Sequence, residues 1–141
     1  MNVGKILTAG IAVGIALVVV DYVGMNFILG NFYASQPYLN QTPTVGMVWN
    51  YIGDFVAALV FVWVFDRVRG SFGSGVGGGL TYGLYAGVLM NFPLWIFMHM
   101  WVRDFSYSAA WVFTIWGLAV GLIMGAVTGA VYGRGMAKAA A

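Results

Sequence analysis

Two aspartates stand inside long apolar stretches, and carboxylates in such a setting are the residues of this chain best able to do chemistry. Asp21 lies in the run 4–29 and Asp54 in the run 46–66. If the two runs are helices that cross a membrane in opposite directions, both carboxylates lie roughly 12–14 Å below the same surface. Two close carboxylates would share a proton or hold a cation.

Asparagines accompany the aspartates at a similar depth. We expect these amides and carboxylates to form one polar cluster inside the membrane, made of Asp21, Asn26, Asn50, Asp54 and Asn91. One interpretation is a proton or cation site, because intramembrane carboxylates usually face a partner or a cavity. The other is that the cluster fixes the helix register by hydrogen bonds, which are weak in membranes but directional. No basic residue lies at that depth, and the structural interpretation is the one we favour.

His99 is the only histidine of the chain, and Met98 and Met100 flank it. One imidazole could hold the magnesium of a chlorophyll or bacteriochlorophyll, or one face of a haem. The alternative is a side chain that reaches toward lipid headgroups or a neighbouring loop. Cys is absent, so thiolate metal sites are excluded and no other metal site is predicted. The sequence requires no cofactor. Bound lipid and a tetrapyrrole at His99 are the candidate ligands.

Glycine recurs at every fourth position in two of the apolar stretches. The positions are Gly79, Gly83 and Gly87 in one and Gly117, Gly121, Gly125, Gly129 and Gly133 in the other. Interior glycines weaken a helix in water by about 1 kcal/mol each, but in lipid they form a groove that lets a second helix approach closely. The spacing predicts helices that pack tightly within a membrane bundle.

A third glycine-rich stretch, Gly73–Gly78, matches the pattern G-x-G-x-x-G. A dinucleotide site needs this pattern after a strand in a βαβ unit, whereas here it joins two apolar runs. No lysine follows as in a phosphate-binding loop. We therefore predict no nucleotide ligand. The net charge of +2 is not gathered in a basic run, so we also predict no nucleic-acid partner.

The elements that position these residues follow from composition. Of the 141 residues, 62% are hydrophobic and 7% charged, against about 25% charged in soluble domains. This indicates an integral membrane protein with one domain, 1–141. Apolar runs long enough to span a bilayer cover 4–29, 46–66, 76–102 and 107–133. The predicted fold is all-α, a bundle of four transmembrane helices.

The basic residues predict the orientation of the bundle. Four spans place five of them on one side, namely Lys5, Arg67, Arg69, Arg134 and Lys138, and only Arg103 on the other. Because cytoplasmic loops carry the excess of Lys and Arg, both termini should be cytoplasmic. The expected location is the bacterial inner membrane.

Three segments give the chain a resemblance to known proteins. They are D-Y-V-G-M-N-F-I-L-G at the end of the first span, F-D-R-V-R-G at the end of the second, and the glycine-laddered last span. In these the chain resembles small four-span bacterial inner-membrane proteins of unknown function. The resemblance implies the four-span fold and no activity.

No catalytic motif is present, and we predict that the protein is not an enzyme. The connections between spans are too short for a soluble domain, which favours an accessory subunit of a larger membrane complex. The candidate host is an energy-transducing complex, photosynthetic or respiratory. The partners of this protein would be other membrane subunits and the lipid bilayer. The alternative is a small ion- or proton-coupled transporter or channel that uses Asp21 and Asp54.

Overall fold

The computed structural model describes residues 3–36 and 43–137, and the side chains of residues 3–36 and 48–132. Every regular element in these residues is helical. The helices are α1 (Val3–Val23), α2 (Gly30–Ala34), α3 (Pro43–Val68), α4 (Gly75–Trp101) and α5 (Tyr107–Ala137). A π-helical turn, Gly24–Ile28, extends α1, and a 3₁₀ turn, Arg69–Ser71, extends α3.

Four helical stretches are long and apolar enough to cross a membrane: Val3–Ile28, Val48–Ser71, Gly75–Trp101 and Tyr107–Tyr132. This confirms the prediction of an all-α chain with four such helices. Each stretch has 24 to 27 residues, or roughly 36–40 Å at 1.5 Å per residue, which exceeds the hydrocarbon thickness of about 30 Å. The second stretch ends beyond the predicted residue 66, because the 3₁₀ turn prolongs α3 to Ser71.

The bundle consists of two antiparallel helix pairs, α1–α3 and α4–α5. α4 packs almost wholly against α5, whereas α1 packs against both α3 and α5. α3 and α5 touch little. The two pairs are therefore joined mainly through α1 and α5.

Glycine lies on both sides of the α4–α5 seam. A Cβ atom added at Gly79 would overlap the carbonyl oxygen of Gly125 and lie 2.8 Å from the Cα of Gly129. One turn along α4, a Cβ at Gly83 would overlap the carbonyl of Gly121. The two backbones are thus in direct contact, which only residues without a Cβ allow.

The same seam continues toward the middle of α4. A Cβ at Gly87 would stand 3.4 Å from the Cα of Leu118, and Gly117 leaves room for the side chain of Asn91. Gly133 lies in α5, but its packing lies outside the described side chains. The structure therefore places Gly79, Gly83 and Gly87 of α4 opposite the glycines of α5.

α1 uses three glycines to meet its two neighbours. A Cβ at Gly10 would come 2.5 Å from Leu59 Cδ2, and one at Gly14 would come 2.5 Å from Phe55 Cδ1, both on α3. Gly24, the first residue of the π turn, is buried against the indole of Trp116 on α5. These contacts bring α1 close enough to both helices to bridge them.

One end of the bundle carries the basic side chains of Lys5, Arg67 and Arg69, and we refer to it as the basic end. The cations of Lys5 and Arg69 stand 5.8 and 5.4 Å from the centroid of the Tyr132 ring. Asp66 pairs with Arg69 at 3.9 Å. α1, α3 and α5 are therefore tied together at this end. Lys138 and the side chain of Arg134 lie outside the described residues.

The opposite end is closed by the turn between α4 and α5. Asp104 has a φ of 65°, a left-handed conformation that Asp tolerates better than most residues. The next residue, Phe105, is buried, and its ring stacks on Trp95 at 6.0 Å. Phe113 packs against the same indole at 4.7 Å. This aromatic cluster fixes the turn just beyond His99.

Candidate functional site

Asp21 and Asp54 extend the faces by which α1 and α3 pack on each other. Asp21 follows the buried Leu17 by one helical turn, and Asp54 precedes the buried Ala58 by one turn. Residues four apart lie on the same face of a helix, so both carboxylates lie on the faces that form the seam between α1 and α3. They lie beyond the Gly14–Phe55 contact, on the side away from the basic end.

The side chains of the two aspartates interact with each other and with the same amide, that of Asn50. The Asp21 side chain interacts with the side chains of both Asn50 and Asp54. Asn50 Nδ2 also donates to Asp54 Oδ2 at 3.4 Å. Since neither carboxylate can donate, a hydrogen bond between the two requires a proton on one of them.

This group of Asp21, Asn50 and Asp54, the polar triad, is only partly covered. Both aspartates are half-buried and Asn50 is exposed. Among the described residues no basic side chain forms an ion pair with either aspartate. Lys5, on the same helix as Asp21, is about 24 Å away along its axis. The triad is therefore a partly open acidic site within helices long and apolar enough to span a membrane.

The other two expected members of the cluster lie elsewhere. Asn26 belongs to the π turn, and its Nδ2 donates to the Tyr22 carbonyl of its own helix at 2.8 Å. Asn91 lies on the α4 face that packs on α5, where its Nδ2 donates to Gly87 O at 3.0 Å. The structure thus brings together three of the five residues, because the π turn changes the helical phase at Asn26 and α4 turns toward α5.

His99 is exposed near the end of α4, with one ring nitrogen engaged. Its Nδ1 lies 2.7 Å from the carbonyl oxygen of Phe105. A carbonyl only accepts, so Nδ1 carries the hydrogen and Nε2 has the free lone pair in the neutral ring. The ring of Tyr107 stands 5.3 Å from the imidazole. His99 therefore reaches a neighbouring loop and also presents one nitrogen capable of binding a metal.

The glycine run Gly73–Gly78 forms the turn that leads into α4. Gly73 and Gly75 have φ values of 80° and 67°, which glycine adopts without strain. A Cβ at Gly78 would lie 2.6 Å from the backbone of Gly73. The run therefore has a structural role, folding the chain back on itself at the basic end.

Sequence reasoning did not find a groove between α3 and α4. Its volume is about 430 Å³, and its lining is apolar, including Val60, Phe61, Val64, Tyr85, Leu89 and Met90. It exists because α4 packs mainly on α5 and meets α3 chiefly through Tyr82. The small residues Ala57 and Ala86, which also line it, were the available signal, since they leave space between the helices.

The comparisons with known proteins found no matching protein family, no matching curated protein and no matching solved structure. The functional argument therefore rests on the polar triad, on His99 and on the surfaces around them.

Proposed function

We propose that this protein is a non-catalytic accessory subunit, packed into a larger membrane protein complex. The observation that supports this is the polar triad, which lies within membrane-spanning helices and is open on one side. A polar group in hydrocarbon is costly unless it has hydrogen-bonding partners, and lipid tails offer none. A partner helix with polar or basic groups at the same depth would satisfy it.

The surface next to the triad suits a protein partner. Trp49, which directly precedes Asn50, is 67% exposed, and Tyr22, which follows Asp21, is exposed as well. Large amphipathic rings beside a polar centre are typical of protein interfaces, where they bury much area and still find hydrogen bonds. The face of α1 and α3 around the triad is therefore the proposed contact.

The basic end provides the proposed orientation. Lys5, Arg67 and Arg69 lie together there, and positive residues are retained on the cytoplasmic side of bacterial inner membranes. In this orientation both termini are cytoplasmic and the triad lies in the periplasmic half of the membrane. An energy-transducing complex, photosynthetic or respiratory, is the proposed kind of host.

The test is site-specific photocrosslinking in native membranes. A photoreactive phenylalanine would replace Trp49 or Tyr22 in turn, with Leu89 on α4 (75% exposed) as the matched position remote from the triad. We expect Trp49 and Tyr22 to give the same crosslinked protein, with Leu89 not giving it. We also expect that product to be lost when Asp21→Leu and Asp54→Leu are combined. Crosslinks to lipid alone from both positions, with a chain that purifies without other proteins, would refute the proposal.

A second function is a small proton- or ion-coupled transporter or channel. It is favoured by the interaction between the side chains of Asp21 and Asp54, since two neighbouring carboxyl groups can share a proton. The test is proton or sodium flux into liposomes that contain only this protein. Transport would have to be present in the natural chain and absent from Asp54→Asn. If the natural chain carries no flux, the transporter function is refuted and the accessory role is the proposal that remains.

A further inference from the structure

The imidazole of His99 is oriented by the backbone in the way that metal-binding histidines usually are. Nδ1 donates to the Phe105 carbonyl at 2.7 Å, and Phe105 is itself held by its stacking on Trp95. Such a bond from the second nitrogen fixes the tautomer and makes Nε2 a better ligand. No described residue makes a hydrogen bond to Nε2, and the side chain is exposed.

Aromatic side chains continue from His99 along the lipid-facing surface of α4 and α5. Tyr107 lies 5.3 Å from the imidazole, Trp111 lies 6.2 Å from Tyr107, and Phe92 lies 5.9 Å from Trp111. All four side chains are exposed. The result is a continuous aromatic face, defined here as the His99 face, with the Nε2 atom of His99 at its edge.

We propose that the His99 face binds a metal-containing tetrapyrrole, with His99 Nε2 as its axial ligand. A flat macrocycle matches a surface of rings better than an acyl chain does, because stacked and edge-on ring contacts add to the burial of area. One imidazole and no facing second ligand among the described residues suit a five-coordinate metal, either haem iron or the magnesium of a chlorin. This site is independent of the accessory role and is formed by other helices than the polar triad.

The purified chain in detergent tests the proposal without any partner. Haemin, reduced to the ferrous state, and zinc chlorin would be titrated separately while the absorption spectrum is recorded. We expect one of the two to bind at one equivalent per chain with a shifted band, and the one that binds identifies the class of metal. The absence of a saturable shift with both would overturn the proposal.

Three variants separate ligation from a role in holding the turn. His99→Gln keeps an N–H donor for the Phe105 carbonyl but removes the imidazole, so we expect a loss of affinity of roughly tenfold or more with an unchanged helical circular dichroism spectrum. Free imidazole should restore the band in His99→Gly. Trp101→Leu, an exposed aromatic outside the His99 face, should bind like the natural chain. Equal spectra for His99→Gln and the natural chain would show that His99 is not the ligand.

Discussion

The side chains of Asp21 and Asp54 interact at the end of the seam where α1 packs on α3. Below them the seam is apolar and close, with Gly14 against Phe55 and Gly10 against Leu59. The polar contact therefore lies at the end of an interface that the glycines already hold together. The aspartates can contribute hydrogen bonds, charge or both to this interface. Substitutions can distinguish these roles, since asparagine removes the charge and keeps the hydrogen bonding.

Replacing Asp54 by Asn should leave the stability of the isolated bundle nearly unchanged. The amide can still donate to Asp21. Interhelical hydrogen bonds in membranes average about 0.6 kcal/mol, so the expected change in the free energy of unfolding is small. Asp54→Leu should be less stable than Asp54→Asn, because it leaves the Asp21 carboxyl and the Asn50 amide without that partner. The measurement is the unfolding midpoint in mixed micelles. If Asp54→Asn were the less stable of the two, hydrogen bonding at this position would not stabilise the seam.

A substitution in the glycine ladder of α4 should destabilise the bundle more than Asp54→Asn does. A Cβ at Gly79 overlaps the backbone of Gly125, and backbone cannot rotate away as a side chain can. We expect Gly79→Ala to push α4 from α5 and to lower the free energy of unfolding by about 1–3 kcal/mol, the usual range for overpacking. Denaturation by sodium dodecyl sulfate, followed by circular dichroism, measures the change.

Gly77 provides the matched control on the same helix. A Cβ at Gly77 would meet nothing within 4 Å. Gly77→Ala should therefore be neutral or stabilise by up to about 1 kcal/mol, because alanine loses less backbone entropy in a helix. Equal destabilisation by both substitutions would mean that α4 and α5 do not meet at Gly79.

The four spans could be predicted from sequence because length and apolar composition determine them locally. The spacing of Gly117 and Gly121 likewise indicates a close helix contact. It does not say which helix makes the contact, because glycine ladders occur on more than one span. The neighbour is α4 because its surface matches that of α5. The pattern of a single span does not show this match.

The sequence predicted the candidate site less completely than the four spans, for the same reason. Asp21 and Asp54 stand at matching depths on helices that are consecutive spans, so their approach follows from depth alone. Asn91 also has a matching depth, but it lies on the side of α4 that packs on Gly117. Depth follows from sequence position, whereas the direction that a helix faces depends on its packing partners. The π turn at Asn26 is a further local change that the apolar pattern does not reveal.

Tyr82 should contribute a hydrogen bond between α4 and α3. Its hydroxyl donates to the Phe61 carbonyl at 3.0 Å, and the side chain is only 6% exposed. Tyr82→Phe keeps the ring contacts with Phe61 and Phe65 and removes only the donor. We expect a loss of about 0.6–1.7 kcal/mol in the free energy of unfolding, the range of such bonds in membrane proteins.

Tyr85, one turn away on α4, is the comparison for this substitution. It is 64% exposed, and no hydrogen bond of its hydroxyl ties α4 to another helix among the described residues. Tyr85→Phe should leave the unfolding curve unchanged within error. If the two variants behaved alike, the Tyr82–Phe61 bond would contribute nothing measurable to the α3–α4 contact.

Gly24 and Trp116 should be energetically coupled, because they form the contact that joins α1 to α5 beside the π turn. A Cβ at Gly24 would come 2.8 Å from Trp116 Cη2, so Gly24→Ala should destabilise the bundle, and Trp116→Leu should do so by leaving a cavity. In the double variant the added methyl enters the space that the indole leaves. We therefore expect a combined loss smaller than the sum by about 0.5–3 kcal/mol. Unfolding curves for the four chains measure this coupling, with Gly53→Ala, where a Cβ meets nothing within 4 Å, as the neutral glycine control. Additive losses would show that α1 and α5 are held together by other contacts.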